Sequence, residues 1–325
     1  MAKGYGHEPV MPEESCLWLD PRPGQTVIDM TTGLGGHSRL FGEAIGATGR
    51  LVCVDRDREA LEAARENLLS LECGVDFIHS PFDRITGILA SLDIKAVDRV
   101  FFDIGVSSLQ LDKAERGFSF LRDGPLDMRM DRETGPNAAD LVNSLPVEEL
   151  ADIFYRYGEE RHSRRIAKRI GEAREISPIN TTGELSAIIA GATSGRAGRN
   201  PATKVFQALR IAVNDELGML SRGLAGAGKA LAPGGRVAVL TFHSIEDRMV
   251  KRVFAGWAKR GLTKTLAGGV VEPTHAETLV NRRARSAKLR AAERIQEFSL
   301  RRGRHYARIH IGSASLDAYR LVHGP

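Results

Sequence analysis

The chain alternates short apolar runs with helix-like stretches, and this alternation restricts the possible folds more than any other feature. Five runs have the length and composition of strands: "QTVIDM" (25–30), "RLVCVDRD" (50–57), "VDFIHS" (75–80), "DRVFFDIG" (98–105) and "GGRVAVLTFHS" (234–244). The segment "EALEAARENLLS" (59–70) reads as the amphipathic helix after the second run. Strands separated by helices form βαβ units, and continuously apolar strands suit a sheet covered on both faces. We therefore predict an α/β fold with a mainly parallel sheet.

The stretch between the fourth and fifth strands is too long for a single crossover, which needs only about a dozen residues. We predict that residues 113–203 form an inserted, mainly helical domain. The host domain would then comprise residues 1–112 and 204–294. Residues 295–325 extend beyond it, and no role is predicted for them.

Within the predicted insertion, residues 146–174 have the period of one helix, and residues 181–193 read as another with a threonine cap. The segment "SGRAGRNP" (194–201) reads as a Gly/Arg-rich loop. The following residues return as helix towards the fifth strand, and "RARSAKLRAAER" (283–294) reads as a further strand with its Arg and Lys side chains outward.

Composition narrows the class of protein only slightly. The 325 residues include 46 Lys and Arg against 41 Asp and Glu, a formal charge of +5, which favours a nucleic-acid partner only weakly. The three cysteines, Cys16, Cys53 and Cys73, show no metal spacing and fit a reducing compartment. No apolar run approaches the roughly 18–20 residues of a membrane helix, and no secretory signal is apparent. We expect a cytoplasmic protein that does not bind membranes.

The segment "VIDMTTGLGGHS" (27–38) is a strand, a glycine-rich turn and a helix start, the arrangement that cradles nucleotides. Asp55 closes the second strand 20 positions after Gly35, and its carboxylate could accept two ribose hydroxyls. These features suit NAD and S-adenosylmethionine equally well. A tight turn without a ligand is the remaining alternative.

Two details of the loop favour a methyltransferase over a dehydrogenase. The dinucleotide fingerprint G-x-G-x-x-G requires a third glycine, and this chain has Ser38 there. Asp29 lies four residues before Gly33, which gives the acid-x-T-x-G-x-G pattern usual in adenosylmethionine methyltransferases. That ligand carries an ammonium and a sulfonium and no pyrophosphate, so nearby acids suit it.

Asp103 ends the fourth strand in "FFDIGVSS". Ligands of doubly wound sheets lie outside the carboxyl ends of the strands. We therefore expect Asp29, Asp55 and Asp103 to converge on one cleft. A strand-end aspartate that merely caps the next helix is the alternative for each of them.

These segments resemble the bacterial small-subunit ribosomal RNA methyltransferases that modify N4 of a decoding-centre cytosine, position 1402 in rRNA numbering. The resemblance extends from residue 7 to about residue 294. The matching blocks are "GHEPVMPEE", "GLGGHS", "DRD", "DIGVSS-LQLD" (103–112), "ERGFSF" (115–120), "DGPLDMRMD" (123–131), "YGEER" (157–161), "PATKVFQALRIAVNDEL" (201–217), "LAPGGR", "FHSIEDR" (242–248) and "RARSAKLRAAER" (283–294).

The resemblance implies a Rossmann-like class I methyltransferase fold, S-adenosylmethionine as cofactor, and 16S rRNA or the small ribosomal subunit as partner. The cofactor contacts that it implies, with Gly33 added from the loop pattern, are Gly33, Gly35, Gly36, His37, Asp55, Phe82, Asp103 and Gln110. A ring at Phe82 could flank adenine, although core packing is the commoner position of a phenylalanine.

The residues also limit the chemistry. Methylation at C5 of a pyrimidine needs a nucleophilic cysteine, but Cys53 lies inside an apolar strand. An exocyclic amine needs no covalent step, only an acceptor for its hydrogen. Asp103 or a carbonyl near Ile104 and Gly105 could provide that acceptor. His243 follows the fifth strand and is a second catalytic candidate, or a cap for the next helix. No histidine cluster indicates a metal, and transfer from a sulfonium needs none.

RNA contacts are expected from the insertion and the rim of the cleft. On the predicted 146–174 helix a basic face would include Arg161, Arg164, Arg165, Lys168 and Arg169, although such a run is often only solvated. Lys204 stands where the family usually has Arg. A lysine keeps the positive charge but cannot form the two parallel hydrogen bonds of a guanidinium group. Planar groups that could stack on unpaired bases, or pack within a loop, are Phe118, Phe120 and Arg129.

Two other functions stay open at this point. An NAD-dependent oxidoreductase is disfavoured by Ser38 and by the acid at Asp29. A non-catalytic RNA-binding protein is disfavoured because all three strand-end acids are present. The sequence is compatible with a monomer or a homodimer.

Overall fold

The computed structural model describes residues 9–193 and 202–295. They form two compact units. Of the described residues, the first unit contains 9–107 and 217–295, and the second contains 108–193 and 202–216. The predicted loop at 194–201 and nearly all of the predicted C-terminal extension lie outside the described residues.

The sheet belongs to the first unit and has the strand order β3-β2-β1-β4-β5-β7-β6. The first five strands are parallel, and β7 is antiparallel to both β5 and β6. All five strands predicted from the apolar runs are present. The strands are β1 (Thr26–Asp29), β2 (Arg50–Asp55), β3 (Gly74–His79), β4 (Val97–Asp103), β5 (Leu231–Thr241), β6 (Thr263–Thr265) and β7 (Lys288–Arg294).

Helices connect the strands and build the second unit. In chain order they are α1 (Pro12–Leu19), α2 (Gly36–Ile45), α3 (Arg58–Asn67), α4 (Ile85–Ser91), α5 (Ser108–Asp112), α6 (Ala138–Ser144), α7 (Val147–Gly158), α8 (Ser163–Arg174), α9 (Thr182–Ala192), α10 (Ala202–Asn214), α11 (Glu216–Ala230), α12 (Ser244–Lys259) and α13 (His275–Val280). None of these helices has the length and apolar character of a membrane span.

The central strands are apolar because both of their faces are covered. Val27 and Ile28 of β1 have no exposed surface, nor do residues 51–54 of β2. Burying one such side chain contributes roughly 1.5–3 kcal/mol. The polar residues of these strands stand at the ends, which leaves Asp29, Asp55 and Asp103 as the last residues of β1, β2 and β4.

Strand β7 completes the sheet, as the sequence predicts, but its arginines do not point outward. The guanidinium of Arg290 forms two hydrogen bonds to the Asp247 carboxylate, at 2.6 and 3.1 Å. Arg294 is also buried and donates to the carbonyl of Leu231. The predicted outward direction is wrong for Arg290 and Arg294, because β7 lies between two other strands with α12 packed against it, whereas the Lys288 side chain is 41% exposed.

The second unit is helical, and its basic segment is not one helix as predicted. Helix α7 ends at Gly158, and α8 begins at Ser163. Glu159 adopts a left-handed conformation with φ of 49°, which ends α7. A Cβ at Gly158 would lie 2.5 Å from the carbonyl oxygen of Lys204, so α7 passes very close to α10 at this point. The turn at 159–162 places Arg161 outside either helix.

The predicted threonine cap of the 181–193 helix is confirmed. The side chain of Thr181 accepts a hydrogen bond from the backbone of Glu184, and the Glu184 carboxylate accepts one from the backbone of Thr181. This reciprocal pair satisfies two amides that the first turn of α9 would otherwise leave without partners.

Candidate functional site

The glycine-rich loop runs from the end of β1 to the start of α2. Gly33 and Gly35 have φ of 54° and 87°, values that residues with a Cβ rarely adopt. The carboxylate of Asp55 holds this loop. Its two oxygens accept from the amides of Gly33 at 2.7 Å and Asp57 at 2.8 Å. A carboxylate has about four acceptor positions, so Asp55 can bind hydroxyls in addition to fixing the loop.

Asp29 lies beneath the loop, not in an open cleft. It has no exposed surface, and it accepts hydrogen bonds from the Ser38 hydroxyl at 2.6 Å and the Thr31 amide at 3.1 Å. Burial raises the pKa of Asp29 to about 7. The expectation that all three strand-end acids face one cleft is therefore wrong for Asp29, which instead anchors the start of α2 from below.

Asp103 faces His37 across the beginning of α2. The Nδ1 atom of His37 lies 3.5 Å from a carboxyl oxygen of Asp103. The other ring nitrogen, Nε2, donates to the carbonyl oxygen of Val10 at 2.9 Å. Since a carbonyl can only accept, Nε2 carries the hydrogen, and the neutral ring presents the Nδ1 lone pair to Asp103.

Burial and the neighbouring charges favour the protonated form of Asp103. Burial lowers the pKa of His37 to about 4, so its ring is neutral near pH 7. Burial, and then the charges of Asp29 and Glu246, raise the pKa of Asp103 to about 8, with Arg283 acting in the opposite direction. Without a cation beside it, Asp103 therefore holds its proton at neutral pH and directs it at His37 Nδ1.

The backbone after β4 is fixed as well. The amide of Asp103 donates to the Thr31 hydroxyl at 2.6 Å. Gly105 has φ of 144°, and a Cβ there would lie 3.3 Å from the ring of Phe242. The side chain of Asp103 is 28% exposed, so this strand end carries an open carboxyl group on a rigid backbone.

His243 caps α12. Its Nδ1 accepts from the Glu246 amide at 3.4 Å, and its Nε2 lies 2.8 Å from the Glu246 carboxylate. The second oxygen of that carboxylate accepts from the amides of Phe242 and His243. The ring is only 11% exposed. These contacts support the capping alternative, and a catalytic role for His243 stays a prediction.

Phe82 and Gln110 belong to different units. Phe82 opens a short 3-10 helix and packs edge-on against Phe102, with ring centroids 5.9 Å apart. A Cβ at Gly223 would lie 3.0 Å from the Phe82 ring, so α11 also approaches it closely. The ring is half-buried, and it keeps some surface for a ligand. Gln110 is a buried residue of α5 in the second unit.

The side chains predicted to stack on bases make contacts with other residues of the second unit. Phe118 is 8% exposed, and Phe120 packs edge-on against Phe206 at 5.0 Å. The guanidinium of Arg129 makes a bidentate contact to Asp127 at 2.8 and 3.0 Å. These contacts support the packed-loop alternative for this segment, and stacking on unpaired bases stays a prediction.

The predicted cations are more accessible. Arg161, Arg165 and Lys168 are exposed. The ammonium of Lys204 donates to the carbonyl of Glu159 at 2.8 Å, which satisfies an acceptor at the end of α7. Lys204 therefore has a structural contact that the sequence did not indicate.

The sequence also did not indicate several residues that support the site. Thr31 and Ser38 bind the backbone of Asp103 and the carboxylate of Asp29, and Glu246 completes the cap of α12. The spacing His-x-x-Glu in "HSIE" resembles a capping box and could have indicated Glu246. The hydroxyl contacts depend on which strands are neighbours, so the local sequence carries no signal for them.

The cysteines are unsuited to nucleophilic chemistry. Burial raises the pKa of Cys53 to about 12 and that of Cys16 to about 11, and it also raises the pKa of Cys73. A thiolate is the nucleophilic form of cysteine. Within residues 9–193 and 202–295 no His, Cys, Asp and Glu side chains cluster in a way that could hold a metal ion.

The geometry fits S-adenosylmethionine. Asp55 offers acceptor positions beside the glycine loop, and Asp103 offers a carboxyl group that a cationic ligand would ionise. The loop residues Gly33 and Gly35 allow a ligand to approach the backbone. A parallel sheet with an antiparallel β7, a glycine loop after β1 and acids at the ends of β2 and β4 define an α/β methyltransferase.

The chain belongs to the MraW methylase family, whose model matches residues 4–295. The relative from Syntrophotalea carbinolica, "Ribosomal RNA small subunit methyltransferase H", is 47% identical over 310 residues, 90% of this chain and 98% of that protein. Proteins of the same name from Geobacter sulfurreducens and Maricaulis maris are 48% and 49% identical. They align with 90% and 89% of this chain, and with 99% and 91% of their own lengths.

Proposed function

We propose that this protein transfers a methyl group from S-adenosylmethionine to the exocyclic N4 of the decoding-centre cytosine in 16S rRNA. The observation that carries the proposal is the pair formed by the glycine loop and the Asp103 carboxyl group at the end of β4. The names of the relatives, which are 47–49% identical, support rRNA of the small subunit as substrate. The site of action would be the cytoplasm, where that RNA is assembled.

The first unit would hold the cofactor. Asp55 would accept the ribose hydroxyls while it fixes Gly33, and Asp103 would face the ammonium group. Phe82 would flank the adenine from its position beside Phe102. When bound, S-adenosylmethionine supplies an electrophilic methyl group on sulfur, so neither a metal nor a covalent enzyme intermediate is needed.

Asp103 would act on the amine. The N4 lone pair of cytosine is delocalised into the ring, and an acceptor for an N4 hydrogen localises it. A cation in the site would lower the pKa of Asp103, because the positive charge favours the ionised carboxylate, and the acid would release its proton to solvent. The ionised oxygen would then accept a hydrogen bond from N4 and take up the proton that N4 loses when it is methylated. His37, which is neutral and held by Val10, offers only its Nδ1 lone pair, so it can orient Asp103 only while the acid is protonated. Alignment of the reacting atoms supplies most of the rate.

We further propose that the second unit binds RNA and leaves the cofactor to the first. Its exposed arginines and lysine support this assignment. The alternatives of an NAD-dependent oxidoreductase and a non-catalytic binding protein are disfavoured by the family and by the intact acids.

The proposal is tested by single-turnover methylation with isotopically labelled S-adenosylmethionine, using free 16S rRNA and small subunits as alternative substrates. Mass mapping of the digested RNA should place the label on N4 of one cytosine. A label on C5 or on ribose, or no transfer to either substrate, would contradict the proposal. The relative rates on the two substrates also show when in assembly the enzyme acts.

A further inference from the structure

The second unit contains a groove lined by several of its exposed arginines. It has a volume of about 640 Å³ and lies between α7 and the turn that leads into α8. The residues that give it its character are Tyr155, Arg156, Arg161, His162, Arg164 and Arg165. A volume of this size is within the range of about 300–1,000 Å³ typical of small-ligand sites.

The groove concentrates positive charge. Its lining includes four arginines and one acid, Asp152, which pairs with Arg156 at 3.3 Å. In the part of the chain that the structure describes, no carboxylate lies within 4.0 Å of the guanidinium groups of Arg161, Arg164 and Arg165. Lys168 and Arg169, farther along α8, lie outside the groove and share Glu172 at 3.9 and 3.0 Å. Arg164 and Arg165, the two α8 arginines that line the groove, therefore carry charge that no described carboxylate neutralises.

The groove also has an aromatic wall. Tyr155 of α7 is 63% exposed, whereas Phe118 of the same unit is 8% exposed. An exposed ring beside several guanidinium groups has the chemistry that recognises single-stranded nucleic acid, because bases stack on the ring and phosphates pair with the cations. A duplex would reach the arginines without using the ring.

We propose that this groove binds an unpaired segment of the substrate RNA, with one base stacked on Tyr155 and the neighbouring phosphates on Arg161 and Arg165. The inference rests on the proposed function, because it takes the substrate to be RNA. It adds the location of the contact and the kind of RNA structure that the second unit selects. The contact serves binding and takes no part in the methyl transfer.

Two double variants test the pairing of the arginines with phosphates. Arg161→Ala with Arg165→Ala removes two charges from the groove, and Lys251→Ala with Arg252→Ala removes two exposed charges from α12 of the first unit. Anisotropy would measure affinity for a fluorescein-labelled single-stranded RNA that spans the target cytosine. We expect the groove variant alone to bind the RNA much more weakly, with a salt slope reduced by roughly 0.7 for each phosphate that the variant no longer neutralises. All four side chains are exposed, so folding should be retained in both variants.

The tyrosine tests stacking. Tyr155→Ala should weaken binding of the same RNA by roughly 5- to 150-fold, the range measured for the loss of one base stack, and Tyr155→Trp should restore it. Single-turnover methylation at saturating RNA should proceed at the wild-type rate in every groove variant, because only binding is affected. A merely structural tyrosine would not be rescued by tryptophan.

The outcomes separate this inference from the proposed function. If wild-type protein methylates N4 and both double variants lose equal affinity, the groove is not special and the inference fails. The inference also fails if affinity for the RNA is unchanged while affinity for small subunits falls, since the groove would then contact a ribosomal protein. If the wild-type protein transfers no methyl group to N4, the proposed function fails whatever the groove binds.

Discussion

At the scale of single residues, the three strand-end acids share a raised pKa. Burial is the largest cause for each, and the values are about 7 for Asp29, about 6 for Asp55 and about 8 for Asp103. Asp103 is the one of the three that is mainly protonated near pH 7, and it is therefore the natural partner of an incoming cation, which would ionise it. The site therefore couples the binding of a positively charged cofactor to the release of protons.

The raised pKa of Asp103 makes stability depend on pH. The ordinary aspartate value in an unfolded chain is about 3.9, so the folded protein binds the proton more tightly. This contribution to the free energy of unfolding is largest below about pH 4, falls as pH rises towards about 8, and is constant above that value. Asp103→Asn has no such titration.

We therefore expect the melting temperature of the wild-type protein, relative to Asp103→Asn, to fall between pH 4 and pH 8 in the absence of cofactor. Taking the difference cancels the titration of the carboxylates that do not interact with Asp103. A difference that is independent of pH would show that Asp103 has an ordinary pKa.

Asp103→Asn should also impair turnover more than binding. The amide of the new side chain can donate to His37 Nδ1, as the protonated acid does, so the local structure is kept. The variant has no ionisable acceptor for the N4 hydrogen, and loss of such a proton acceptor typically costs about 10²-fold or more. RNA affinity should be unchanged, and cofactor affinity should fall modestly because Asp55 and the glycine loop remain.

Single-turnover methylation at saturating cofactor measures the catalytic part of this effect. A wild-type rate there would leave Asp103 as a binding residue only. The carbonyl groups near Gly105 would then be the next candidates for the acceptor.

Asp55→Ala should weaken cofactor binding strongly. The carboxylate would accept the ribose hydroxyls, and its loss also frees the amides of Gly33 and Asp57. Removing a charged acceptor costs about 1.5–3 kcal/mol, which is roughly a 10- to 150-fold loss of affinity by calorimetry. Asp76→Ala is a suitable control, since Asp76 is an acid of the neighbouring strand that pairs with Arg50. Equal affinity in a folded Asp55 variant would exclude it from the cofactor site.

At the scale of secondary-structure elements, variants at the start of α12 can separate the capping role of His243 from a catalytic one. Loss of an N-cap costs about 0.5–2 kcal/mol, and asparagine is among the best replacements. We expect His243→Ala to lower the melting temperature and His243→Asn to restore most of it, with the asparagine variant methylating at close to the wild-type single-turnover rate. If His243→Asn folds normally but is inactive, the imidazole itself takes part in the reaction.

The elements that the sequence predicted correctly are those defined by local signals. Apolar runs located the five parallel strands, and Thr181 with Glu184 marked the start of α9. Glycines placed the loop after β1, because left-handed backbone at Gly33 and Gly35 needs them.

Errors arose where distant contacts decide the structure. The break between α7 and α8 depends on the close approach of Gly158 to Lys204, which the helical period of the segment does not reveal. Arg290 of β7 was expected to point outward, but it is buried and pairs with Asp247 because α12 covers β7. The exposure of Tyr155 identifies it as a stacking residue, and the sequence alone does not show which aromatic residues of a helix lie outside the core.

At the scale of the whole molecule, the chain leaves the first unit after β4 and returns to it at α11. Residues 108–216 then form a unit with its own core, built mainly by the packing of α7 against α8 and α10. The sequence placed this insertion at 113–203 from the length of the crossover alone. The observed unit also includes α5 and α10, whose apolar faces could equally have packed on the sheet by sequence pattern.

Strands β4 and β5 pair with each other although the second unit separates them in the sequence. This separation has a consequence for synthesis on the ribosome. The sheet cannot be completed until β5 and β7 have been translated, whereas the helices of the second unit that the structure describes all precede residue 217 in the chain. Domains generally fold as units while the nascent chain emerges, so the second unit should become protease-resistant before the first. Pulse proteolysis of stalled nascent chains that end shortly before and shortly after β5 would measure the order. Until β5 is synthesised, β4 can pair only with β1, and its other edge stays exposed. That edge would be the part of the first unit most in need of a chaperone.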